Sequence, residues 1–219
     1  MLKEKMDSKK ILIAVAKGRI LDEALGLLKD IGIEASSSEI SSRRLKITTN
    51  CPSIDLLVVR ATDVPTYVDH GAADVGITGK DVLLESETDG YYEPLDLQIS
   101  KCRLCAAGLS KTRPALPMLR VATKYPKVAN NYYQEIGIQA EIITLYGSME
   151  LAPIVGLADE IVDLVDTGRT LEANNLSIIE NIQDISSRLI VNKASLKVKP
   201  REIGNIIDKL RVLIKEKDE

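Results

Sequence analysis

The sequence predicts an α/β protein whose strands and helices are divided between two lobes. Short apolar runs typical of buried strands alternate with amphipathic helical segments along nearly all of the 219 residues. This alternation is typical of sheets whose strands are joined by right-handed crossovers, so we expect mostly parallel sheets. About ten strands are indicated, which is too many for one sheet in a chain of this length, and two lobes follow.

The first half of the chain contains closely spaced elements. Residues 61–71 are predicted to form a short helix, because Asp63 can cap its first turn and Pro65 falls within that turn. A longer helix at residues 19–31 has its apolar side chains on one face and ends before Gly32. Strands are predicted at residues 11–17, 43–49, 54–59 and 73–78, and a further helix at residues 79–86.

The second half continues the pattern. Ser148 is a candidate cap for a helix at residues 148–158, and another helix is expected after Gly168. In a predicted helix at residues 124–137, Tyr132 and Tyr133 could stack on a base, but packing in a core or interface is favoured. The other elements are strands at residues 101–109, 119–123, 140–145, 160–165, 177–185 and 187–193, and a closing amphipathic helix at residues 199–217.

Composition excludes several classes of protein. The formal net charge of -3 is opposite in sign to that of a general nucleic-acid binder. The sequence contains no apolar run near the ~20 residues of a membrane span and no apolar stretch long enough for a signal peptide, so we expect a cytoplasmic protein. The core must rely on Ile, Leu, Val and Ala, because Phe and Trp are absent.

Two residue types that often mark chemistry are expected to be structural here. Cys102 and Cys105 form a Cys-x-x-Cys pair, which could indicate a zinc or redox site. The pair lies in a predicted strand, and the single histidine, His70, does not complete a zinc ligand set, so core packing is favoured. His70 itself falls at a predicted helix end, where it can interact with the last carbonyls.

The best candidate for ligand binding is the sequence Thr-Gly-Arg-Thr at residues 167–170, between a predicted strand and a predicted helix. Gly168 permits close backbone approach, while the hydroxyls of Thr167 and Thr170 and the helix N-terminus favour a phosphate. Asp163 and Asp166 precede this turn, and their carboxylates suit ribose hydroxyls or a magnesium ion. The combination indicates a phosphoribosyl group, with a capped helix and solvated aspartates as the structural alternative.

A second candidate region is basic. Lys17, Gly18 and Arg19 lie at another strand-to-helix turn and suit a polyphosphate. Arg60 follows a predicted strand, at the sheet edge where α/β proteins bind ligands. Residues 73–83 and 158–171 repeat one pattern of Ala-Asp, strand, Thr-Gly and helix, which suggests facing walls of one cleft.

A set of spaced residues resembles the signature E-x5-G-x-A-x2-I-x-D-L-x2-T-G-x-T-L of the ATP phosphoribosyltransferase family. Segments around residues 16–20, 60–68 and 73–83 are also similar to that family, and the resemblance extends over residues 11–193. The matching positions are Glu150, Gly156, Ala158, Ile161, Asp163, Leu164, Thr167, Gly168, Thr170 and Leu171.

This resemblance implies two α/β lobes around a cleft, similar to the type II periplasmic-binding-protein fold. We expect one lobe from residues 1–97 with 185–219, and the other from residues 98–184. The implied reaction condenses ATP with phosphoribosyl pyrophosphate, in the presence of Mg²⁺, to N1-(5-phosphoribosyl)-ATP and pyrophosphate. It is the first step of histidine biosynthesis.

The resemblance also implies roles for individual residues, although it identifies no general base and no metal ligands. Arg19, Arg60 and Asp163 are the expected catalytic residues. Phosphoribosyl pyrophosphate is expected to bind Asp163, Asp166, Thr167, Gly168, Arg169 and Thr170. The phosphates of ATP or pyrophosphate are assigned to Lys17, Gly18, Arg19, Arg60, Asp81 and Glu150.

The sequence resembles the short form of the family, since only about 26 residues follow the last predicted strand and leave no room for a regulatory domain. That form implies a homodimer of this chain and a regulatory subunit resembling histidyl-tRNA synthetase, assembled as a hetero-octamer. Two alternatives remain open at this point: an exported solute-binding protein, and a silent subunit that senses phosphoribosyl pyrophosphate.

Overall fold

The computed structural model describes residues 10–41 and 44–218, and these residues form two compact units. The first unit contains the chain up to Ser100 and again from Ser186, and the second unit is Lys101–Ile185. The chain therefore passes from the first unit to the second once and returns once.

The first unit is built on a six-stranded sheet with the order β2-β3-β1-β4-β11-β5. Strands β3, β1 and β4 are parallel, whereas β2, β11 and β5 pair antiparallel with their neighbours. The strands are β1 (Ile11–Ala16), β2 (Lys46–Thr48), β3 (Ile54–Val59), β4 (Val75–Gly79), β5 (Tyr91–Asp96) and β11 (Ser187–Asn192). The helices are α1 (Arg19–Asp30), α2 (Ser37–Ser41), a 3-10 turn (Ala61–Asp63), α3 (Val64–Asp69), α4 (Lys80–Glu85), α8 (Lys193–Val198) and α9 (Pro200–Asp218).

Helices cover both faces of this sheet, which explains why β4 is buried along its whole length. One face packs against the apolar stripes of α1 and α9, where Leu28 and Ile203 are fully buried. The other face packs against α3 so closely that a Cβ at Gly76 would lie 2.7 Å from the side chains of Val64 and Val68. Glycine at this position therefore allows α3 to sit directly on the sheet.

The second unit contains a five-stranded sheet with the order β10-β6-β9-β7-β8. Strands β9, β7 and β8 are parallel, while β6 and β10 run antiparallel at one side. Its strands are β6 (Cys102–Gly108), β7 (Leu119–Thr123), β8 (Ala140–Thr144), β9 (Glu160–Val165) and β10 (Ser177–Ile185). Its helices are α5 (Pro126–Glu135), α6 (Leu151–Ile154) and α7 (Arg169–Ala173).

Several details differ from the expectations. Each sheet is mixed rather than mostly parallel, because only three neighbouring strands in each are joined by crossover helices: β3, β1 and β4 in the first sheet, and β9, β7 and β8 in the second. Strand β5 was not predicted, since Pro94 interrupts its pattern, and this strand lies at the sheet edge where proline is tolerated. Asp63 and Ser148 do not cap helices with their side chains: α3 shows no such bond, and the residue before α6 is Glu150. Arg43, at the start of the strand expected at residues 43–49, lies outside the described residues.

Within the described residues, the structure contains no helix with both the length and the apolar character needed to cross a membrane.

Candidate functional site

The Thr-Gly-Arg-Thr turn lies at the carboxyl end of β9 and forms the wall of a pocket in the second unit. Gly168 has φ +81°, a left-handed conformation that L-residues with a side chain rarely adopt, and it directly precedes α7. The pocket has a volume of about 180 Å³. Its walls include the loop, Glu150 and residues of β6 and β9: Cys105, Ala107, Glu150, Ile161 and 163–171.

Local hydrogen bonds fix the loop, and its polar side chains are exposed to solvent. Thr167 Oγ1 accepts a hydrogen bond from Arg169 Nε at 3.2 Å and lies 3.5 Å from the Arg169 amide. Asn174 Nδ2 donates to the Thr170 carbonyl at 2.8 Å, while Leu171 is buried in the core. The loop is therefore anchored by one apolar side chain and its local bonds, and Thr167, Arg169 and Thr170 remain exposed.

Three carboxylates line this pocket: Glu150, Asp163 and Asp166. Asp163 Oδ1 accepts a 2.8 Å hydrogen bond from the Leu164 amide and lies 3.4 Å from Lys124 Nζ. Lys124 directly follows β7 and was missed in the sequence. Its position directly after a predicted strand could have marked it as a candidate site residue. Its closeness to Asp163, however, depends on the register of β7 and β9.

In the first unit, the basic candidates meet at one edge of the sheet. The adjacent parallel strands β3, β1 and β4 end beside one another, and they are followed by Arg60, by Lys17–Arg19 and by the helix that contains Asp81. The Lys17 amide donates to the Val59 carbonyl at 2.9 Å, which brings the first two of these turns together. Lys17, Arg19 and Arg60 are exposed. This arrangement presents cations at the carboxyl edge, where α/β sheets bind ligands.

Arg19 is oriented by its own helix. Its Nε lies 3.5 Å from Glu23 Oε1, one turn further along α1, and Glu23 Oε2 accepts a 2.6 Å hydrogen bond from the Ser100 amide. Gly18 before it has φ +91°, so the turn from β1 into α1 depends on glycine at this position.

The structure thus gathers the predicted residues into two groups. Glu150 and the loop residues Asp163, Asp166, Thr167, Gly168, Arg169 and Thr170 share the pocket of the second unit. Lys17, Gly18, Arg19, Arg60 and Asp81 share the sheet edge of the first unit. Glu150 was expected among the phosphate-binding residues of the first unit, but it lies in the pocket of the second unit.

A buried polar network at the opposite end of β9 was not predicted. Glu160 is fully buried, and its carboxylate accepts hydrogen bonds from Arg113 Nε at 3.0 Å and from the Tyr133 hydroxyl at 2.6 Å. Arg113 Nη2 donates to the Tyr132 hydroxyl at 3.1 Å, and that hydroxyl donates to Glu180. The two tyrosines are buried, which confirms their predicted packing role.

The network changes the pKa of its members. Burial, and then the hydrogen bond to Glu180, raises the pKa of Tyr132 to about 12. Burial and the bond to Glu160 raise the pKa of Tyr133 above its usual value. Burial lowers the pKa of Arg113, but the bonds to Tyr132 and Glu160 outweigh that effect, so its pKa is raised.

The structure places Cys102, Cys105 and His70 in the expected elements, and the contact of the His70 side chain with the last carbonyls of α3 stays a prediction. Cys102 and Cys105 lie on β6 and form no disulfide bond, and residues three apart on a strand point to opposite faces. His70 ends α3, and its amide donates to the Thr66 carbonyl at 3.1 Å.

The described part of the chain contains no group of three His, Cys, Asp or Glu side chains that could hold a metal ion. The carboxylates of the pocket nevertheless fit a magnesium ion carried by a phosphorylated ligand. Such ions keep several waters and use one or two carboxylates together with the substrate's phosphates, so a complete protein cage is not required.

Comparison with known proteins supports the same interpretation. Residues 60–212 match the model of the family HisG, ATP phosphoribosyltransferase. The chain is 56% identical over 201 residues to the ATP phosphoribosyltransferase of Pseudomonas aeruginosa, covering 92% of this chain and 95% of that protein. It is 54% identical over 203 residues to the ATP phosphoribosyltransferase of Chromohalobacter salexigens, covering 93% of this chain and 94% of that protein.

Solved structures agree with this result. A chain of the ATP phosphoribosyl transferase (HisG:HisZ) complex from Thermotoga maritima superposes with a TM-score of 0.79 and 36% identity, over 94% of this chain and 99% of that chain. A probable amino-acid ABC transporter extracellular-binding protein of Bacillus subtilis superposes with a TM-score of 0.59 at 12% identity, over 95% of this chain and 92% of that one. This second similarity is one of fold alone, and it confirms the expected periplasmic-binding-protein type.

Proposed function

Because the chain belongs to the HisG family of ATP phosphoribosyltransferases, we propose that its two groups of site residues bind different parts of the two substrates. The activity itself follows from the family: the chain is a pentosyltransferase that carries out the first step of histidine biosynthesis. It condenses ATP with phosphoribosyl pyrophosphate to N1-(5-phosphoribosyl)-ATP and pyrophosphate.

The pocket of the second unit is proposed to bind the phosphoribosyl group. The left-handed Gly168 at a strand-to-helix turn is the observation that carries this assignment, because it lets backbone amides and threonine hydroxyls approach a phosphate. Thr167, Arg169 and Thr170 are exposed there and can donate to the 5-phosphate. Asp163 and Asp166 in the same pocket can accept hydrogen bonds from the ribose hydroxyls. Glu150 is assigned to this pocket as well.

The basic edge of the first unit is proposed to serve the phosphates of ATP or the leaving pyrophosphate. Lys17, Arg19 and Arg60 are exposed cations at adjacent strand ends, and a guanidinium can bind two phosphate oxygens at once. Gly18 permits close approach of the backbone, and Asp81 lies at the start of α4 beside them.

The reaction needs positioning and charge neutralisation rather than a covalent intermediate. Adenine N1 attacks the anomeric carbon while the bond from that carbon to pyrophosphate breaks, with positive charge developing on the ribose ring. Asp163 is proposed to hold the ribose through its hydroxyls, whereas Arg19 and Arg60 are proposed to stabilise the negative charge that develops on pyrophosphate. Mg²⁺, proposed to be bound through Asp163 or Asp166 and the substrate phosphates, would neutralise further phosphate charge.

The partners and location are proposed from the same assignment. The Thermotoga maritima chain was solved as a HisG:HisZ complex, and its similarity over 94% of this chain supports a HisZ-type regulatory subunit here. A subunit resembling histidyl-tRNA synthetase, a homodimer of this chain and a hetero-octamer of both are the proposed assembly. A cytoplasmic location is proposed as well.

Two measurements test the proposal. The purified chain, incubated with ATP, phosphoribosyl pyrophosphate, Mg²⁺ and a pyrophosphatase, is expected to form phosphoribosyl-ATP, detected by mass spectrometry. Thr170→Ala, which removes one exposed hydroxyl donor, should weaken phosphoribosyl pyrophosphate binding by about tenfold with an unchanged melting temperature. Unchanged affinity in a calorimetric titration of this variant would contradict the phosphate assignment.

A further inference from the structure

Lys124 is held beside the phosphoribosyl pocket by the pairing of two strands. Thr123 and Val162 are register partners in the parallel pair of β7 and β9, so the next residues, Lys124 and Asp163, also lie side by side. Lys124 Nζ is 3.4 Å from Asp163 Oδ1, with 40% of the lysine side chain and 22% of the aspartate side chain exposed.

The backbone that leads into Lys124 is fixed more firmly than an ordinary strand end. The buried Thr123 hydroxyl donates to the Val162 carbonyl at 2.6 Å and accepts a bond from the Tyr125 amide at 2.9 Å. Lys124 Nζ also lies 5.0 Å from the centroid of the buried Tyr125 ring. The ammonium therefore has two neighbours, one anionic and one aromatic, that hold it near the pocket.

The charges that line the pocket are mainly negative, so a cation at the position of Lys124 affects the binding of a phosphorylated ligand. Glu150, Asp163 and Asp166 contribute three carboxylates to the lining, against the single guanidinium of Arg169. A multiply phosphorylated sugar that enters this pocket is repelled by those carboxylates. A cation that stays on Asp163 reduces the repulsion and keeps that carboxylate in place for the ribose hydroxyls.

We infer that Lys124 is a positioning residue for the phosphoribosyl site, which orients and neutralises Asp163 and so sets the affinity for the ribose part of the substrate. The inference rests on the proposed role of the pocket. Lys124 acts through Asp163 rather than through contact with the pyrophosphate group.

Steady-state kinetics of Lys124→Met and Lys124→Arg test this role, with Lys111→Met as the control. Lys111 is an exposed lysine of the same unit and lies in the connection from β6 to β7, at the far end of β9 from Asp163. Lys124→Met should raise the KM for phosphoribosyl pyrophosphate by about three- to tenfold, with kcat within about twofold of the wild type. Lys124→Arg should restore most of the affinity, because it keeps the charge.

The inhibition constant of pyrophosphate separates the two ways in which a lysine could act. If Lys124 acts through Asp163 on the ribose, Lys124→Met leaves that constant unchanged while the KM for the sugar substrate rises. An equal loss of pyrophosphate affinity would overturn the inference in favour of direct contact with the leaving group. A KM equal to that of Lys111→Met would overturn it altogether.

Two further measurements separate the role of Lys124 from a folding effect of the substitution and from the proposed function of the pocket. Lys124→Gln repeats the comparison if methionine at this half-exposed site lowers the melting temperature, and the same KM shift is expected. Failure of the wild-type chain to bind phosphoribosyl pyrophosphate would count against the proposed function, whereas normal binding in both wild type and Lys124→Met would count only against the role of Lys124.

Discussion

Replacing Gly168 with alanine separates backbone strain from ligand binding at the phosphoribosyl loop. Gly168 has φ +81°, and a Cβ built there would meet only Val165 Cγ1, at 3.9 Å. Space is therefore available, and the cost to the fold is that of the left-handed conformation alone, about 1–2 kcal/mol. In the proposed site, however, the added methyl group also projects from the turn that a phosphate must approach. We expect at least a tenfold loss of phosphoribosyl pyrophosphate affinity beyond the effect on stability.

Gly137→Ala provides a matched control in the same unit. Gly137 has φ +71° and no heavy atom within 4 Å of a built Cβ, and it lies in the connection from α5 to β8, outside the loop. Both variants should lower the free energy of unfolding by about 1–2 kcal/mol, measured by urea denaturation. Only Gly168→Ala should lose affinity in calorimetric titration with phosphoribosyl pyrophosphate. Equal affinities in the two variants would refute the assignment of this turn to a phosphate.

Three further predictions concern other parts of the molecule. Arg19→Ala should lower kcat by roughly a hundredfold with little change in melting temperature, because its half-exposed ion pair contributes little to stability; intact turnover would identify Arg19 as an ordinary surface residue. Arg113→Met should lower the free energy of unfolding by about 3 kcal/mol, since it leaves the buried Glu160 carboxylate without its cation; a loss below about 1 kcal/mol in urea denaturation would contradict this. The raised pKa values of Tyr132 and Tyr133 show that the folded state favours the neutral phenols. The resulting contribution to the free energy of unfolding is present below about pH 10 and is lost as the pH rises through the folded pKa, which is about 12 for Tyr132. In absorbance titration at ~295 nm, Tyr132 and Tyr133 should ionise late, and replacing each with Phe should remove a late step; ionisation of both near pH 10 in the folded protein would oppose this.

The sequence was sufficient for the parts of the fold that depend on local patterns. The strands around Ile13 and Val121 and the apolar face of α1 follow from periodicity and from the residues that interrupt it. Periodicity could not reveal β5, because an edge strand with one half-solvated face needs little apolar alternation. It also could not give the direction of each strand, which depends on tertiary pairing.

The candidate site was predictable where it depends on neighbours in sequence. The turn at Gly168 and the turn at Gly18 both stand out as strand, glycine and helix. The pairing of Lys124 with Asp163, and that of Arg113 with Glu160, joins residues 39 and 47 positions apart. Such contacts depend on strand order and register, and a single sequence does not specify either.

Strand β9 connects these features and explains how exposed loop residues can be held in place. It lies third in the order β10-β6-β9-β7-β8, paired on both sides, and its ends are Glu160 and Val165. The first end is tied by buried charged hydrogen bonds, and the second opens directly into the loop that begins at Asp166. A paired central strand cannot slide without breaking bonds to both neighbours, so the loop is positioned by the strand that precedes it. The loop can therefore keep its threonines exposed for a ligand while its geometry remains defined.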